Sequence, residues 1–406
     1  MTTHDTTHIP EWWRETTLGE IVTIWRWSSP RPIQDYLSDF GIPWVKISDA
    51  TASQNRFIEW TKEYIKEEGR STSVQPGDLI VSNSATPWIP KFMRIHACVH
   101  DWWLVFSNYK ELNNDYLYYF FLDYRRHLEH SASWTVFKNL TTDIVRHVPI
   151  LLPPLPEQRA IADMLSSLDA KIELLREQNE TLEKIAQTIF HEWFGRYSVE
   201  SPEELPQGWR VGKLGEVADI KWGKRLSQWD NLVGYKTDHP YIRITDLTWN
   251  WIKKENLQYI EDQVFSKISR YIVNNGDIIL SIVGSIGSVA RIDDELDNAN
   301  LTENCVKFVN LKNIGSNYLF NFLISELWQG EIIRNTVWAV QKKLPIYGIQ
   351  NMEILIPTKD IIQRFEEIVG EFSIKIFSNN SQIQSLSKNR DTILPKLMGG
   401  EVNIND

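Results

Sequence analysis

The apolar positions between residues 161 and 193 predict a long helix with a single apolar seam. They are spaced alternately four and three residues apart without a break, which is the heptad spacing of a helix that packs along a partner helix. Asn179 is the polar position in this seam. The seam consists of Ile161, Leu165, Leu168, Ile172, Leu175, Asn179, Leu182, Ala186, Ile189 and Trp193.

A second helix with the same pattern is predicted 204 residues further along the chain. Its seam consists of Phe365, Val369, Phe372, Ile376, Asn379, Ile383, Leu386, Arg390, Ile393 and Leu397. An antiparallel pairing with the seams aligned end to end places Asn179 opposite Asn379. A parallel pairing leaves both amides against apolar residues, at a cost of about 1–3 kcal/mol each. We therefore expect an antiparallel coiled coil whose register is fixed by the two asparagines. The alternative is that each helix packs on its own globular domain.

The rest of the chain contains an internal repeat. Five segments recur in the same order at an offset that drifts from about 196 to 204 residues, which indicates a duplicated domain. The matched pairs are IPEWWRETTLGEIVTI and LPQGWRVGKLGEVADI, IPWVKISD and HPYIRITD, PGDLIVS and NGDIILS, VFKNL and VQKKL, and PILLPP and EILIPT.

The repeat predicts an α+β protein with two mixed α/β domains, related by a pseudo-twofold axis and separated by the two long helices. Short runs that alternate in polarity and are rich in β-branched residues, such as DLIVS and DIILSIV, predict strands. The sheet topology stays open at this level. The predicted bounds are 1–152 for the first domain, 153–197 for the central helix, 198–209 for an acidic linker, 210–356 for the second domain and 357–406 for the last helix.

Composition narrows the class of protein. The hydrophobic fraction of 42% and charged fraction of 24% are typical of a soluble globular protein. No run of eighteen apolar residues occurs, and the first residues lack the basic and apolar parts of a signal peptide, so we expect a cytoplasmic protein without membrane spans. Two cysteines cannot form a disulfide framework in a chain of this length.

The net charge of −10 argues at first sight against a nucleic-acid partner. The acidic excess is uneven, however, because it is −3 in residues 155–197 and −3 in 198–209, against −2 in 11–150 and +1 in 210–345. A locally basic surface is therefore compatible with each globular domain.

The sequence contains no pattern that predicts catalysis or metal binding. It has neither a GxxxxGK[ST] loop nor a dinucleotide-binding fingerprint. His96, Cys98 and His100 invite comparison with a zinc site. In an extended segment the two histidines would lie about 13 Å apart, too far for one zinc ion. We expect no catalytic residue, no metal ligand and no cofactor bound by this chain.

Three segments in the helical regions carry a resemblance to a known family. PPLPEQRAIADMLSSLDAKI (Pro153–Ile172), IAQTIFHEWF (Ile185–Phe194) and ILPKLMGGEV (Ile393–Val402), together with the duplicated halves, resemble the specificity subunit of Type I restriction–modification systems. The resemblance covers nearly the whole chain and is most specific in the helices. The globular halves match only in general pattern.

The resemblance implies a DNA-recognition subunit without activity of its own. Each globular half would be a target-recognition domain that reads one half of a bipartite, asymmetric site in double-stranded DNA, and the helices would set the spacing. Implied partners are two adenine-N6 DNA methyltransferase subunits, which hold S-adenosylmethionine, and in some systems restriction subunits, which use ATP and Mg²⁺ for translocation. This chain lacks the (Asp/Asn)-Pro-Pro-(Tyr/Phe) motif of the methyltransferase.

One departure from the family concerns the start of each recognition domain. Many members have a Gly-rich Thr-Pro segment there, whereas this chain has WRWSSPRPIQDY (Trp25–Tyr36) and KWGKRLSQWDNL (Lys221–Leu232). The family's base-contacting positions are therefore not transferred to these segments.

Candidate DNA-contacting residues come from three segments that recur in both halves. These are the loops after the first strand, the exits of the PGDLIVS and NGDIILS strands, and the loops before the helices, which resemble the family's DNA-facing loop. In the first half they are Arg26, Arg31, Ser82, Asn83, Ser84, Lys91, Arg94, Trp134 and Lys138, and in the second half Lys221, Lys224, Arg225, Ser281, Ser285, Arg291, Trp338, Gln341, Lys342 and Lys343. Any one basic residue could equally be an ordinary solvated surface charge.

Three functions compete at this point. The leading hypothesis is a DNA-recognition subunit, since a helix of 32 residues is about 48 Å long and can span half-sites about 34–36 Å apart. The second is a protein-interaction scaffold that has lost DNA binding. The third, an enzyme in its own right, is disfavoured by the missing motifs.

Overall fold

The structure is a computed structural model of the 406-residue chain. It describes residues 9–26, 28–53, 55–69, 71–84, 86–129, 140–248, 251–254, 257–336 and 342–402.

The chain divides into two compact units. Unit 1 comprises residues 1–176 and 381–406, and unit 2 comprises residues 177–380. Each unit therefore contains one globular repeat together with a part of each long helix.

The described residues of unit 1 form two five-stranded sheets, a strand pair and four short or medium helices. Its sheets have the strand orders β3-β6-β4-β10-β7 and β2-β11-β8-β9-β5, and β1 pairs with β12. The elements are β1 (Arg14–Thr17), α1 (Leu18–Ile21), β2 (Thr23–Trp25), β3 (Leu37–Ser38), β4 (Ile42–Val45), α2 (Ile47–Ala52), β5 (Phe57–Ile58), β6 (Glu63–Ile65), β7 (Thr72–Val74), β8 (Leu79–Ser82), β9 (Pro90–Met93), β10 (Ala97–Val99), β11 (Trp103–Ser107), α3 (Asn114–Glu129), α4 (Thr142–Arg146) and β12 (Pro149–Leu152).

The long helix α5 (Leu155–Phe190) follows and ends in a π-helical turn, His191–Gly195. Unit 2 then repeats the plan of unit 1 with fewer strands. Its elements are β13 (Arg210–Lys213), α6 (Leu214–Val217), β14 (Asp219–Trp222), β15 (Pro240–Ile242), β16 (Gln258–Tyr259), α7 (Asp262–Ile268), β17 (Ile278–Ser281), β18 (Val289–Arg291), β19 (Asn300–Leu301), β20 (Cys305–Val309), α8 (Ser316–Ile324), α9 (Glu326–Asn335), α10 (Ile346–Asn351), β21 (Glu353–Ile356) and the long helix α11 (Lys359–Met398).

The two units share one strand topology. Unit 2 has the orders β14-β20-β17-β18 and β16-β15-β19, and β13 pairs with β21. These correspond to β2-β11-β8-β9, to β6-β4-β10 and to the β1-β12 pair of unit 1. The β4-β10 pair of unit 1 and the matching β15-β19 pair of unit 2 are parallel, whereas the other matched strand pairs are antiparallel. The fold class expected from the repeat is confirmed.

The repeated Gly-Asp pair forms the same turn in each unit. Gly77 and Gly276 have φ angles of 96° and 86°, in the left-handed region that favours glycine. Asp78 and Asp277 accept the backbone N–H of the residue three positions earlier, at 2.7 and 2.9 Å. The turn directs the following strand, β8 or β17, into the core, where all four residues of each strand are buried.

The repeated Leu-Gly-Glu segment forms the short helices α1 and α6. Leu18 and Leu214 are fully buried. A Cβ atom on Gly19 would lie 3.0 Å from the Arg146 side chain, and one on Gly215 would lie 3.2 Å from Gln350. A side chain at either position would crowd α4 or α10, which pack closely against this turn.

The two long helices pair antiparallel in each unit taken by itself. In unit 2, the Phe365 ring lies 6.0 Å from that of Phe190, and Asn379 contacts Asn179. Residue numbers therefore increase along one helix in the direction in which they decrease along the other. In unit 1, the apolar core contains Ile161 and Leu165 of α5 with Leu394 and Leu397 of α11. Every position of both predicted seams is buried or half-buried.

The described part of the chain contains no helix that is long and apolar enough to cross a membrane. Cys98 and Cys305 are both buried, and neither forms a disulfide bond.

Candidate nucleic-acid interface

In unit 1 the three predicted DNA-contacting segments meet at the loop before β11. Arg31 forms an ion pair of 2.8 Å with Asp101, and the Ser29 hydroxyl accepts the Asp101 backbone N–H at 2.9 Å. The Asn83 N–H donates to the Trp102 carbonyl at 2.9 Å, and the Leu140 N–H donates to the Asn83 carbonyl at 2.8 Å. We call residues 29–31, 82–84, 100–102 and 140 the unit 1 edge.

Unit 2 joins the same three segments, with two backbone hydrogen bonds equivalent to those of unit 1 and a different contact for the first segment. The Lys224 N–H donates to the Leu301 carbonyl at 2.8 Å, and the Ile282 N–H donates to the Asn304 carbonyl at 2.9 Å. The Leu344 N–H then donates to the Ile282 carbonyl at 2.9 Å. We call residues 221–225, 282–285, 301–305 and 342–344 the unit 2 edge. Segments that are far apart in sequence therefore form one surface in each half.

The unit 2 edge carries exposed cations. Lys221, Lys224, Arg225, Lys342 and Lys343 are all exposed. The Arg225 guanidinium pairs with Glu303 at 3.0 Å, although 82% of its side chain remains accessible, and the Lys224 ammonium lies 6.0 Å from the Tyr271 ring. Such cations can contact phosphate groups while remaining anchored to the domain.

Exposed aromatic side chains accompany these cations. Trp222 is on the unit 2 edge, and Trp229, which is 82% exposed, lies in the same loop. In unit 1, Trp102 is exposed on the edge beside Arg31, and the Arg26 side chain is exposed just after β2. Exposed indole rings close to cations are suited to stacking on bases or sugars. Tryptophans that only filled the core would be buried.

Two predicted serines occupy structural positions instead. Ser82 and Ser281 are fully buried. The Ser82 hydroxyl donates to the Thr86 carbonyl at 2.6 Å and accepts the Ile89 N–H at 2.9 Å, and the Ser281 hydroxyl makes the same pair of bonds to Ser285 and Ser288. Their hydroxyls hold the turn after β8 or β17, so we do not carry them forward as DNA contacts.

The neighbours of these serines are placed differently. Asn83 is almost fully buried and Ser84 is half-buried. Ser285 is exposed at the turn between β17 and β18, where its carbonyl accepts the hydroxyls of Ser281 and Ser288. Only Ser285 of this group presents a side chain to solvent at an edge.

Lys91, Arg94 and Arg291 are not brought to the edges. They lie in or just after β9 and β18, and each of these strands returns antiparallel to its neighbour, away from the Ser82 or Ser281 turn. Arg94 pairs with Glu59 and stacks 3.7 Å from the Phe57 ring centroid. These residues were predicted to lie at the strand exits because they follow the strands in the sequence. The sequence does not show in which direction the next strand returns.

Arg291 has a structural role in unit 2. Its guanidinium donates to the Asn317 side chain at 2.6 Å and to the Ser373 hydroxyl at 3.1 Å, which joins β18 to α8 and α11. Burial lowers its pKa to about 10. A cation so enclosed is not available to a DNA surface.

Four predicted residues, Trp134, Lys138, Trp338 and Gln341, lie outside the described residues, as does Trp27. Sequence reasoning also missed Asp101, Trp102 and Glu303, which organise the edges. Their only signal was position, because each lies just before β11 or β20 in the repeated topology.

The predicted helix register places Asn179 opposite Asn379, and the structure brings these side chains into contact. The Asn379 amide donates to the Asn179 carbonyl oxygen at 2.8 Å, and the Asn179 amide donates to Asn380 at 2.8 Å. Asn379 is fully buried and Asn179 nearly so. The antiparallel register is therefore stabilised by two hydrogen bonds between side-chain amides inside an apolar seam.

Arg390, the other polar position of the second seam, has its own partner in unit 1. It donates to Asp169 at 2.6 Å, and Asp169 also accepts the Tyr119 hydroxyl at 2.7 Å. Burial opposes the charge of Arg390, but Asp169 and Asp391 outweigh it and raise its pKa above the ordinary value. The apparent break in the seam is thus a salt bridge to the facing helix.

Among the residues that the structure describes, no three His, Cys, Asp or Glu side chains lie close enough to hold a metal ion. Cys98 lies in strand β10, fully buried, between His96 and His100.

Two α/β units, each with an edge that exposes cations near a tryptophan, favour a nucleic-acid-binding protein with duplicated binding domains. The sequence model of one family, described as the Type I restriction modification DNA specificity domain, matches residues 10–184 and 206–387. The chain belongs to that family.

Individual relatives agree with the family assignment. The chain is 27% identical over 305 residues to the Type I restriction enzyme MjaIX specificity subunit of Methanocaldococcus jannaschii, covering 72% of this chain and 70% of the relative. It is 22% identical over 416 residues to the MjaVIII specificity subunit of the same organism, covering 98% and 94%. The crystal structure of a Type I restriction–modification S subunit from M. genitalium has the same fold, with a TM-score of 0.54, 15% identity and coverage of 95% and 96%.

Proposed function

We propose that this chain is the DNA-recognition subunit of a Type I restriction–modification complex. Each unit would read one half of a bipartite, asymmetric site in double-stranded DNA. The observation that carries the proposal is that three separate segments converge on one edge in both units. Two of the junctions are made by equivalent backbone hydrogen bonds in the two units. Family membership supports the same function.

The edges divide the work between positioning and reading. Lys221, Lys224, Arg225, Lys342 and Lys343 would contact phosphates of one half-site, as would Arg26 and Arg31 for the other half-site. Sequence would be read by side chains that reach base edges, among which Ser285, Trp134, Lys138, Trp338 and Gln341 remain predictions.

The long helices would set the distance between the half-sites and would also bind the methyltransferase subunits, of which we propose two copies. The side-chain hydrogen bonds between Asn179, Asn379 and Asn380 support a fixed register, which a spacer requires. In this proposal the chain has no catalytic activity and binds no cofactor itself. S-adenosylmethionine would belong to the methyltransferase, and ATP and Mg²⁺ to a restriction subunit where one joins, all in the cytoplasm.

The direct test is to express the chain with its methyltransferase and map the methylated adenines in cellular DNA. The proposal predicts one split motif with a constant spacer. Methylation without a split motif, or none, would contradict it.

Charge-neutralising variants test the edges. Lys224→Gln with Arg225→Gln should weaken DNA binding by the assembled complex and reduce the slope of log affinity against log salt by about 0.9 for each phosphate that the variant no longer neutralises. Lys312→Gln is the matched control, because Lys312 is exposed but follows the opposite end of β20. Equal salt slopes in the edge variant and the control would remove the unit 2 edge from the interface.

A further inference from the structure

Unit 1 contains a cleft of about 400 Å³ between its globular domain and the two long helices. We call it the unit 1 cleft. It is bounded by the segment from α2 to β5, by the start of β9, by α3, and by the parts of α5 and α11 that belong to unit 1. Its volume lies in the range of about 300–1,000 Å³ that is typical of small-ligand sites.

The lining of the cleft is strongly cationic. Six basic residues face two acidic residues, Asp169 and Glu173. The basic residues are Arg56, Lys91, Arg125, Arg126, Arg176 and Arg390. Several of these form ion pairs: Arg390 binds Asp169 and Asp391, Arg126 binds Asp391, and Arg56 binds Asp115. The six cations of the lining outnumber these three carboxylates together with Glu173.

Lys91 is the cation of this lining that is held by backbone carbonyls. The side chain is only 6% exposed, and its ammonium donates to the backbone carbonyls of Ser53, at 2.9 Å, and Asn55. In the described part of the chain it forms no ion pair with a carboxylate. The Lys307 ammonium of unit 2 is held by the Ile272 carbonyl in a similar way, but it also lies 3.6 Å from Asp277.

The electrostatic state of Lys91 agrees with this geometry. Its pKa is lowered to about 8, chiefly by burial and secondly by the positive charge of Arg176, while Glu173 opposes the shift. A second buried donor, the Nε of Arg56, has no hydrogen-bond partner among the described residues. An anion in the cleft would offset both costs.

The basic lining is not needed by the repeated scaffold. The equivalent positions in unit 2 are neutral, with Ala290 in place of Lys91, Asn380 in place of Arg176 and Ala186 in place of Arg390. Unit 2 does bury one cation here, because Arg291 bonds to Asn317 and lies 4.4 Å from the Phe320 ring, much as Arg56 bonds to Asp115 and lies 4.9 Å from the Tyr118 ring. Unit 2 packs without counterparts of Lys91 and Arg176, so folding alone does not account for those two cations.

We propose that the unit 1 cleft binds a phosphate-bearing small molecule of mononucleotide size. The phosphate would lie between Lys91 and Arg176, which line the cleft from two different elements, β9 and α5. Tyr118, Leu122 and Ile172 provide an apolar wall for a base or sugar. Such a site goes beyond DNA recognition, because it lies in only one of the two units that read DNA.

The test is calorimetric titration of the full-length chain with AMP and, separately, with inorganic phosphate. We expect saturable binding of one AMP per chain, weakened about tenfold or more by Lys91→Met and by Arg176→Gln. Arg94→Gln should leave the affinity unchanged, because Arg94 is exposed and lies outside the cleft. Absence of binding at millimolar AMP, or equal affinity in all variants, would overturn the proposal. If Lys91→Met fails to fold, Arg176→Gln alone decides the test, since Arg176 is half-buried.

A competition arm separates a free nucleotide from the phosphates of DNA. If a short duplex and AMP bind the chain together, the cleft is a small-molecule site. If the duplex displaces AMP, and Lys91→Met weakens duplex and AMP equally, the cleft is a contact for the DNA backbone and the proposal fails. The edge variant keeps this proposal separate from the proposed function, because Lys224→Gln with Arg225→Gln should weaken duplex binding and leave AMP binding unchanged.

Discussion

Replacing Asn379 by leucine should destabilise the helix pair in unit 2. The substitution removes the donor to the Asn179 carbonyl oxygen, which lies in a nearly inaccessible position. A buried acceptor left without a partner costs about 1–3 kcal/mol. Asn179→Leu should cost less, because the Asn379 amide also lies 3.5 Å from Gln178 and can turn toward it.

The double variant Asn179→Leu with Asn379→Leu should recover most of that stability. Two leucines facing one another in a heptad seam leave only the Asn380 oxygen without its donor, and Asn380 is half-buried, so water can reach it. The coupling energy between the two positions should therefore be about 1–3 kcal/mol.

Amide hydrogen exchange measures this locally, without assuming that a chain with two compact units unfolds in one step. Peptides covering residues 175–183 and 376–383 should exchange about tenfold faster for each 1.4 kcal/mol by which the helix pair is destabilised. Asn389→Leu, on an exposed face of the same helix, is the matched control and should change little. Additive effects of the two single substitutions would refute the pairing of these amides as the source of register stability.

Three further predictions follow from other contacts. Ser281→Ala should lower the melting temperature more than Ser285→Ala, because only the Ser281 hydroxyl is buried with two bonds in the turn, and equal effects would contradict its structural role. Between pH 8 and 10.5 the folded state binds fewer protons at Lys91 than the unfolded state. The free energy of unfolding should therefore rise with pH by up to about 3 kcal/mol relative to that of Lys91→Met. Parallel pH profiles of the two proteins would contradict this. Neutralising Lys342 and Lys343 should weaken DNA binding of the complex and flatten its salt dependence, and an unchanged affinity and slope would exclude this loop.

The helices could be predicted from the sequence because burial imposes a period on them. An unbroken seam requires a facing helix, and a buried amide requires a polar partner, so Asn179 and Asn379 specify both direction and register. Arg390 could not be interpreted in the same way. Its partner Asp169 lies outside the seam positions of the first helix, and only the side-chain geometry shows that the two meet.

The candidate DNA surface was predicted at the level of segments and not of individual side chains. Recurrence in both halves identified segments that the structure indeed joins at one edge in each unit. Whether Ser82 or Lys91 faces solvent, however, depends on the direction of a returning strand and on the depth of a cleft. The spacing of residues along short strands predicts neither the direction of the next strand nor the depth of a cleft. A lysine that is buried, as Lys91 is, cannot be told from a solvated one by its place in the sequence.

The composition of unit 1 from residues 1–176 and 381–406 has a consequence for the order of folding. Its apolar core includes Leu394, Leu397 and Met398, whereas unit 2 is a single continuous segment. During synthesis on the ribosome, the domain that emerges first must therefore wait for the final turns of α11, while the domain that emerges second can complete its core earlier. The nascent chain would expose an unfinished first core throughout translation of some two hundred residues, which makes it the stage at which chaperones are most needed.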